Sequence, residues 1–336
     1  MNKKYMVLKI SKTVSPGVNA WEAEEFAKFD ATVKEVAITS EIEVTEELKI
    51  ADIILFGGVP ITRGMIEAAP KCRAIITGTV GFDGIDVLAA TNNHIIVVNN
   101  PSFEWCIEEV SNHAITLLFV SAKKIKILDS LVREGRWSDA KKAQKPMGAI
   151  YGQTLGIIGC GAVGRMVSRK AKCFGLKVFG YDPYVEKYLA KENGINLVNL
   201  SVLLKESDYV TAHPDLNETS HHMMGEKEFI QMKPTAYFIN TSRGKVVDEV
   251  ALVKALKEKW IAGAGLDVFE REPIDTNNPL LKMENVFVTP HSASYSDAAF
   301  SLPPMNTANE AGKILSGRWP NNVVNKSVKP KVELAK

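Results

Sequence analysis

The sequence predicts an α/β protein whose sheets are parallel and covered by helices on both faces. Short apolar runs rich in β-branched residues alternate with segments of helical periodicity along most of the chain, which is typical of doubly wound sheets. The length of 336 residues is sufficient for two domains. Near the middle, an apolar run leads directly into the glycine-rich segment Gly159–Gly164. One of the two domains therefore contains a strand, a tight turn and a helix in succession.

The first hundred residues predict a small parallel-sheet domain of their own. Strands are expected at Tyr5–Ile10, Ile50–Phe56, Ala74–Thr77 and Ile95–Val98, where apolar and β-branched residues cluster. The segment Ala20–Phe29 has the spacing of an amphipathic helix. Strands that alternate with helices in this way favour a parallel sheet, because each helical crossover returns the chain to the same edge.

A long helix is predicted over Glu104–Glu134, which contains neither glycine nor proline and has apolar residues at helical spacing. We expect one break in it at most, and Gly135 then ends it. The tail Asp297–Leu315 is also helical in pattern, despite Pro303 and Pro304, and is expected to return to the first domain. Six further strands are predicted between these helices: Leu155–Ile158, Val178–Tyr181, Tyr209–Ala212, Ala236–Ile239, Gly263–Val268 and Val286–Val288.

Composition excludes several classes of protein. The 41 basic and 39 acidic residues leave a net charge of +2, so there is no electrostatic footprint for nucleic acid. The four cysteines show neither a C-x-x-C pair nor a metal-site spacing with histidine, so we expect free thiols and no bound metal. No apolar run reaches the length of a membrane span or a signal peptide. We therefore expect a cytoplasmic protein.

The glycine-rich segment predicts a dinucleotide site. Gly159 permits the tight turn, Gly161 lets the backbone approach a pyrophosphate, and Gly164 lets the helix pack against the strand. Ala162 and Val163 open the helix, whose free N–H groups face the phosphates. A motif of this kind on its own also occurs in flavin and S-adenosylmethionine proteins, or as a simple turn.

The next strand supports a nicotinamide cofactor. It ends in Asp182, at about the 20-residue interval from the glycines at which an acidic residue binds the adenosine ribose. A carboxylate there accepts hydrogen bonds from both ribose hydroxyls and repels a 2′-phosphate. The other interpretation of Asp182 is a turn residue before Pro183. With the glycine turn upstream, we predict NAD rather than NADP.

Three charged side chains follow late strands of the predicted sheet. Arg243 comes after the strand at 236–239, Glu272 after that at 263–268, and His291 after that at 286–288. Ligands of doubly wound sheets bind outside the carboxyl ends of the strands, so these side chains are predicted to converge. Taken singly, each has another interpretation: a surface arginine, a solvated glutamate and a capping histidine.

Together the three residues predict hydride-transfer chemistry on a 2-keto acid. The planar guanidinium of Arg243 suits a substrate carboxylate and the adjoining carbonyl oxygen. His291 titrates near neutrality and can donate a proton to that oxygen or take it back. Glu272 beside the imidazole would select its tautomer and raise its pKa.

Two further segments are candidate contacts. The loop Gly78–Asp86 could direct backbone N–H groups at an anion, although a simple strand-to-helix turn is the competing interpretation. His213, which precedes Pro214, is predicted to border the adenosine end of the cofactor groove. It does not form a convincing metal set with His221 and His222.

The chain resembles the D-isomer-specific 2-hydroxyacid dehydrogenase family. The resemblance extends over nearly all of the chain and is most specific between Tyr151 and Ser294. The motifs that carry it follow the glycine turn in family order: Tyr181-Asp182-Pro183, Met232-Lys233-Pro234, Asn240-Thr241-Ser242-Arg243-Gly244, Gly265-Leu266-Asp267-Val268-Phe269, Glu272-Pro273 and Thr289-Pro290-His291.

The resemblance implies two Rossmann-like or flavodoxin-like domains, with an NAD-binding domain at 103–293 inserted into a discontinuous substrate-binding domain at 1–102 and 294–336. It implies that Arg243, Glu272 and His291 are the catalytic set, and that Arg243 and His291 also bind substrate. It adds substrate contacts at Thr79, Val80 and Gly81, and cofactor contacts at Thr241 and Asp267, the latter at the nicotinamide carboxamide. It also implies a homodimer joined through the NAD-binding domains.

Within the family, the chain is most similar to the C-terminal binding protein branch, through Pro183-Tyr184 and 291–296. That branch has tryptophan where this chain has Ser294, and phosphoglycerate-type members have Arg-Ser where it has Phe56-Gly57. We predict an NAD-dependent dehydrogenase that interconverts a 2-keto acid and a D-2-hydroxy acid. The alternative is an NAD(H)-sensing binding protein of the co-repressor type with little or no turnover.

Overall fold

The fold is given by a computed structural model, described for residues 4–11, 20–38, 44–100, 104–297, 299 and 303–335. The chain divides into two compact units. The first consists of Met1–Phe103 and Asp297–Lys336, and the second is the continuous segment Glu104–Ser296. Each unit contains one parallel sheet with helices between its strands, which confirms the predicted α/β class.

The first unit has a five-stranded sheet of order β2-β1-β3-β4-β5, the strand order of flavodoxin-like folds. Its strands are β1 (Tyr5–Ser11), β2 (Ala31–Ala37), β3 (Ile53–Gly57), β4 (Ala74–Thr77) and β5 (Ile96–Val98). Its helices are α1 (Ala20–Ala27), α2 (Thr45–Ile50), α3 (Arg63–Glu67), α4 (Val87–Asn92) and, from the end of the chain, α13 (Pro303–Leu315).

The sheet of the first unit separates two apolar clusters. Residues of α2, α3 and α4 pack on one face with Leu8, Ile54 and Ile75. On the other face, Ala308 and Ile314 of α13 pack against neighbouring strands. The C-terminal helix thus joins the first unit, as its pattern predicts, and gives the sheet the second cover that a buried parallel sheet needs.

The second unit has a seven-stranded sheet of order β12-β11-β10-β9-β6-β7-β8. Its strands are β6 (Thr154–Ile158), β7 (Lys177–Tyr181), β8 (Asn196–Leu197), β9 (Tyr209–Ala212), β10 (Tyr237–Asn240), β11 (Gly263–Leu266) and β12 (Val286–Val288). Its helices are α5 (Glu104–Ala122), α6 (Ile125–Arg133), α7 (Trp137–Ala143), α8 (Ala162–Cys173), α9 (Lys187–Glu192), α10 (Leu200–Glu206), α11 (Glu226–Phe229) and α12 (Glu249–Lys257).

The order of the second sheet reverses between β6 and β9, which are hydrogen-bonded neighbours. At such a switch point the following helices leave to opposite faces, and a crevice opens at the carboxyl edge. Helices α5 and α8 cover one face and α10–α12 the other. A Cβ added at Gly265 would lie 3.0 Å from the Cβ of Leu117, so this glycine allows α5 to pack close to β11.

Two strands and one break were not located by sequence analysis. The edge strand β2 mixes apolar and charged residues, including Lys34 and Glu35, and β8 has only two residues. The predicted long helix is broken at Lys124, which has a left-handed backbone with φ of 53°. That conformation is uncommon for a residue other than glycine, so no local sequence signal indicates where the helix breaks.

Candidate active site

The glycine turn lies where β6 and β9 separate. Gly159 has a φ of +84°, and a Cβ there would lie 2.6 Å from the nitrogen of Pro214, just after β9. A Cβ on Gly164 would collide with the carbonyl oxygen of Gly159. Both glycines are therefore needed by the protein itself. Gly161 differs, because a Cβ there would meet nothing within 4 Å.

The end of α8 that faces this turn is suited to an anion. Gly161 is its N-cap and offers no side chain to the first N–H groups of the helix, which leaves them for a ligand. Arg165, in the first turn, donates from Nη1 to the carbonyl oxygen of Cys160 at 3.0 Å. This arginine adds positive charge at the turn and was not identified from the sequence.

Asp182 has the turn role that was one of its two interpretations, and it also holds the glycine turn. Its Oδ1 accepts from the N–H groups of Tyr184 (2.8 Å) and Val185 (3.0 Å), as in a turn. Its Oδ2 accepts from the N–H of Cys160 at 2.8 Å, which anchors the glycine turn to the end of β7. A carboxylate has about four acceptor positions, so capacity for a ribose hydroxyl is left.

His213 and Thr241 lie beside the turn, at the ends of β9 and β10. His213 Nε2 lies 2.9 Å from the hydroxyl of Thr211, and its Nδ1 lies 3.4 Å from that of Thr241. Burial lowers the pKa of His213 to about 3. The imidazole is therefore neutral at physiological pH, which suits an uncharged wall of a groove rather than acid–base chemistry.

Arg243 is presented by a turn that the buried residue Asn240 holds together. Asn240 Oδ1 accepts from the N–H and the hydroxyl of Ser242, and its Nδ2 donates to the carbonyl oxygen of Arg243 at 2.9 Å. A Cβ on the next residue, Gly244, would overlap the backbone of Phe269. The glycine of the Ser-Arg-Gly motif therefore lets the loop after β10 lie directly against the chain after β11.

Glu272 and His291 form a direct pair. Glu272 Oε2 lies 2.7 Å from His291 Nδ1, while Oε1 accepts from the N–H of Phe269 at 3.0 Å. Since a carboxylate only accepts, Nδ1 carries a proton and Nε2 is the other titrating atom of the ring. The side chains of His291 and Glu272 are 47% and 36% exposed, so a substrate can reach them.

Charges near this pair act on both pKa values. The hydrogen bond from Glu272 raises the pKa of His291 above its usual 6.5, against the opposing effects of burial and of the positive charge of Arg243. Burial acts to raise the pKa of Glu272, but its hydrogen bonds to His291 and Phe269 and the nearby positive charges outweigh burial and lower that pKa. Arg243 thus acts electrostatically on both members of the pair.

Asp267 anchors the segment that carries His291. It is fully buried, and its carboxylate accepts from the hydroxyl of Thr289 and the N–H groups of Ser292 and Ala293 at 2.6–2.9 Å. Its carbonyl oxygen accepts from the N–H of His291 at 2.8 Å. His291 itself has a left-handed φ of 54°, an uncommon conformation that these bonds hold in place.

The loop after β4 lies in the first unit and runs from that strand to α4. The hydroxyl of Thr79 donates to the carbonyl oxygen of Gly81, and Asn99 Nδ2 donates to that of Val80. Within the described part of the chain, the N–H groups of Val80 and Gly81 have no hydrogen-bond acceptor. The loop is therefore both the strand-to-helix turn and a source of free donors.

The second unit thus brings Arg243, Glu272 and His291 to one edge of its sheet. The glycine turn, Asp182, His213 and Thr241 belong to the same edge. Sequence analysis missed Asn240 and the anchoring role of Asp267, because neither is visible without the turns that they bind. Among the described residues, no group of histidine, cysteine and acidic side chains could hold a metal ion. No helix in the described ranges is long and apolar enough to cross a membrane.

Comparison with known proteins agrees with this geometry. Residues 115–293 match the family described as D-isomer specific 2-hydroxyacid dehydrogenase, NAD binding domain. A glyoxylate reductase from Korarchaeum cryptofilum is 43% identical over 88% of this chain and 89% of its own. Another from Thermococcus litoralis is 40% identical over 80% and 81%. A D-lactate dehydrogenase from Aquifex aeolicus, solved with NAD and lactic acid, is 30% identical, covers 95% of this chain and 99% of its own, and has a TM-score of 0.82.

The chain belongs to the D-isomer-specific 2-hydroxyacid dehydrogenase family. It is an NAD-linked oxidoreductase that transfers hydride between the cofactor and a 2-keto or 2-hydroxy acid. The alternative of an NAD(H)-sensing protein without turnover is not favoured by these relatives. The narrower similarity to the C-terminal binding protein branch stays a prediction.

Proposed function

We propose that this enzyme reduces a small, unphosphorylated 2-keto acid, with glyoxylate the first candidate, and oxidises the corresponding 2-hydroxy acid. The observation that carries the proposal is the 2.7 Å contact between His291 and Glu272 within the electrostatic reach of Arg243. The names of the two archaeal relatives support glyoxylate. Phe56-Gly57, in the place of the Arg-Ser of phosphoglycerate-type members, favours a substrate without phosphate.

His291 is proposed to carry the proton of the reaction. Its Nδ1–H is directed at Glu272, so Nε2 exchanges the proton with the substrate oxygen. In reduction, the imidazolium donates this proton to the carbonyl oxygen, which becomes the hydroxyl of the product. In oxidation, the neutral ring accepts it. Positioned acid–base catalysis of this kind contributes about 10²–10⁴-fold to the rate.

Arg243 is proposed to bind the carboxylate of the substrate and to polarise its carbonyl group. The planar guanidinium provides two parallel donors, and Asn240 holds the turn from which it extends. The N–H groups of Val80 and Gly81, with Thr79 beside them, are proposed as the second set of donors to the carboxylate.

Bound NAD(H) supplies or accepts the hydride, and the residues at the edge of the second sheet suit its parts. Gly161 would leave room for the pyrophosphate at the uncapped start of α8. Ala162, Val163 and Gly164 form the first turn of this helix, directly after the turn that Gly159 permits. Asp182 would bind the ribose hydroxyls, and His213 and Thr241 would border the groove. Asp267 already accepts from three protein donors. We therefore propose that Asp267 shapes the nicotinamide end of the cofactor groove mainly through its hydrogen bonds to the segment 289–293.

Loss of NADH absorbance on addition of 2-keto acids tests the proposal. Glyoxylate, hydroxypyruvate and pyruvate should be reduced, and 3-phosphohydroxypyruvate should be reduced poorly. His291→Ala should lower kcat by at least about 10²-fold and leave NADH binding, followed by fluorescence, nearly unchanged. Tight NADH binding without turnover of any substrate, or full activity of His291→Ala, would refute the assignment.

We also propose a homodimer joined through the second unit. In this unit α6, α7 and the following segment expose large apolar side chains, among them Val132, Trp137 and Tyr151. Extended exposed apolar surface marks contact sites. A cavity of about 630 Å³ lies at the amino edge of the same sheet and is lined in part by Ile127, Met147 and Phe287. Light scattering should give twice the chain mass, and Trp137→Glu should weaken the dimer.

The second unit is proposed to be the NAD-binding domain of the predicted pair and the first the substrate-binding domain, in agreement with the family match to 115–293. A cytoplasmic location is supported by the four free cysteines, of which Cys72 and Cys160 are buried. Such thiols are typical of reducing compartments.

A further inference from the structure

His113 lies on α5, far in sequence from the catalytic pair, yet it contacts the segment that carries His291. Its Nε2 lies 2.9 Å from the hydroxyl of Thr289 and 3.6 Å from Oδ1 of the buried Asp267. Thr289 precedes His291 by a single proline. A helix that covers the sheet is thus connected to the start of the catalytic segment by one side chain.

The directions of these hydrogen bonds follow from chemistry. Asp267 Oδ1 lies 2.6 Å from the hydroxyl of Thr289, and a buried carboxylate that already accepts from Ser292 and Ala293 can only accept. The single hydroxyl proton of Thr289 therefore goes to Asp267. His113 Nε2 must then donate to the hydroxyl oxygen, which requires the tautomer protonated at Nε2. The chain of bonds runs His113 to Thr289 to Asp267.

These hydrogen bonds hold the backbone on both sides of His291. Thr289 is bound on the amino side of the histidine, and Ser292 is bound by the same Asp267 oxygen on its carboxyl side. His291 has a left-handed backbone, which costs energy for a residue with a side chain and persists only where its surroundings impose it. The direction of the imidazole therefore depends on how firmly both flanks are held.

We propose that His113 is a positioning residue for the acid–base step. It fixes the hydroxyl of Thr289, which keeps Asp267 in register with 289–293, so that the ring of His291 stays directed at Glu272 and the substrate. His113 itself does not exchange a proton with the substrate. This inference rests on the proposed function, because it assumes that His291 is the proton donor.

Two pairs of substitutions test the proposal, one on each side of the bond. His113→Phe removes the donor but keeps a ring, whereas His113→Gln offers an amide N–H near the position of Nε2. Thr289→Val removes the hydroxyl at nearly constant shape, whereas Thr289→Ser keeps it. The readouts are kcat and KM with NADH and glyoxylate, NADH affinity by fluorescence, and the melting temperature.

We expect His113→Phe and Thr289→Val to lower kcat by about tenfold or more, because small displacements of a reacting group can cost about 10²-fold. NADH affinity should change by less than about threefold, a difference below roughly 1 kcal/mol. His113→Gln and Thr289→Ser should recover most of kcat. The double variant His113→Phe with Thr289→Val should be no slower than the slower single variant, because both break one chain of bonds.

A control on the same helix is Thr116→Val. Among the residues that the structure describes, this exposed hydroxyl bonds only to the carbonyl oxygen of Asn112, at 2.8 Å. Its loss should leave kcat unchanged. Equal kcat for His113→Phe and His113→Gln would overturn the inference, and so would parallel losses of kcat and NADH affinity. If a His113 variant does not fold, the Thr289 pair decides alone by the same criteria.

Failure of this inference can be separated from failure of the proposed function. His291→Ala is measured alongside. If it abolishes turnover while His113→Phe and Thr289→Val remain fully active, His291 keeps its role and only the positioning role is lost. If His291→Ala remains active, the acid–base assignment itself is wrong and the positioning role falls with it.

Discussion

Glu272 sets the proton affinity of His291 through one short hydrogen bond. The bond raises the pKa of the imidazole, so the imidazolium persists to a higher pH than in free histidine. In the proposed function, reduction consumes the proton of the His291 imidazolium. The reductive rate is therefore expected to stay level below the raised pKa and to fall as pH increases through it, whereas oxidation needs the neutral ring and shows the opposite dependence.

Glu272→Gln should move the falling limb of the reductive pH profile to lower pH. The neutral amide removes the interaction that raises the pKa of His291, while burial and Arg243 continue to lower it. The measurement is kcat with NADH and glyoxylate between about pH 5 and 9, the range in which histidine titrates. We also expect a lower plateau, because the ring loses its charged partner.

Glu270→Gln is a matched control for this experiment. Glu270 lies two positions earlier and also contacts an imidazole, since its Oε1 lies 2.6 Å from Nε2 of His222. Its removal should leave the profile in place. If both variants shift the profile equally, the effect reflects general charge near the loop, and Glu272 has no special role.

The convergence of Arg243, Glu272 and His291 at one edge of the sheet could be predicted from the sequence, because each follows an apolar run that is clearly a strand. The residues that hold these three side chains in place could not be predicted. Asn240 and Asp267 look like ordinary strand-end residues, and His113 lies inside a helical pattern more than a hundred positions from Thr289. Which donor each of them meets depends on turns and on helix packing, neither of which has a local sequence signal.

At the scale of single elements, two kinds of glycine lie at the start of α8. The fold needs Gly159 and Gly164, whereas a Cβ added at Gly161 would meet nothing within 4 Å. Gly164→Ala should destabilise the protein by about 1–3 kcal/mol, because the new methyl group meets the backbone of Gly159 in a packed turn. Gly161→Ala should leave the melting temperature unchanged or slightly raised, since alanine restricts the unfolded chain. It should weaken NADH binding by about tenfold, or roughly 1.4 kcal/mol.

Thermal melting and NADH fluorescence on the two alanine variants check these expectations. Gly161 lies on the surface with open space around its Cα. The alanine variant therefore tests whether the phosphates pass close to this residue, without a change in the stability of the fold. Unaltered NADH affinity in Gly161→Ala would mean that the pyrophosphate does not pass over this residue.

Besides their apolar packing, helices α5 and α8 are connected by the ammonium group of Lys170. Lys170 Nζ on α8 lies within 2.6–3.1 Å of four acceptors on α5: the carboxylate and carbonyl oxygen of Glu108, the hydroxyl of Ser111 and the amide oxygen of Asn112. Lys170→Met should lower the free energy of unfolding by about 1–3 kcal/mol, as expected for hydrogen bonds to a charged group. Chemical denaturation measures this, with Lys172→Met on the same helix as the control.

Strands and helices were predicted correctly where the apolar pattern of the sequence was strong. They were missed where packing in the folded protein determines the local structure. Buried strands such as β4 and β9 consist of residues that favour strands, and their bounds agree with the prediction. The edge strand β2 has no such pattern, and the break at Lys124 needs a backbone conformation that the residue type disfavours. Both features depend on packing against neighbouring strands and helices, which the local sequence does not indicate.

At the scale of the whole molecule, the two units differ in how the chain forms them. The second is one continuous segment with apolar clusters on both faces of its sheet, whereas the first needs both ends of the chain. A fragment of residues 104–296 should therefore fold alone, melt cooperatively and bind NADH. It should not reduce glyoxylate, because it lacks Thr79, Val80 and Gly81.

Circular dichroism and NADH fluorescence on the fragment test this expectation. The same fragment with Asp182→Ala serves as the control for specific binding. A fragment that remains unfolded, or that folds without affinity for NADH, would contradict the proposed division of roles between the units.

Asp182 accepts hydrogen bonds both from its own turn and from the glycine turn. This has a consequence for redesign of coenzyme preference. The usual approach replaces the acidic residue at this position so that a phosphorylated ribose can enter. Here the carboxylate that we propose to repel the extra phosphate also accepts from the Cys160 amide, so a small replacement would loosen the glycine turn as well. The substitution Asp182→Asn would keep a single acceptor oxygen, which can serve either the Cys160 amide or the amides of Tyr184 and Val185, but not both. A redesign of coenzyme preference therefore has to replace a restraint on the glycine turn as well as a charge.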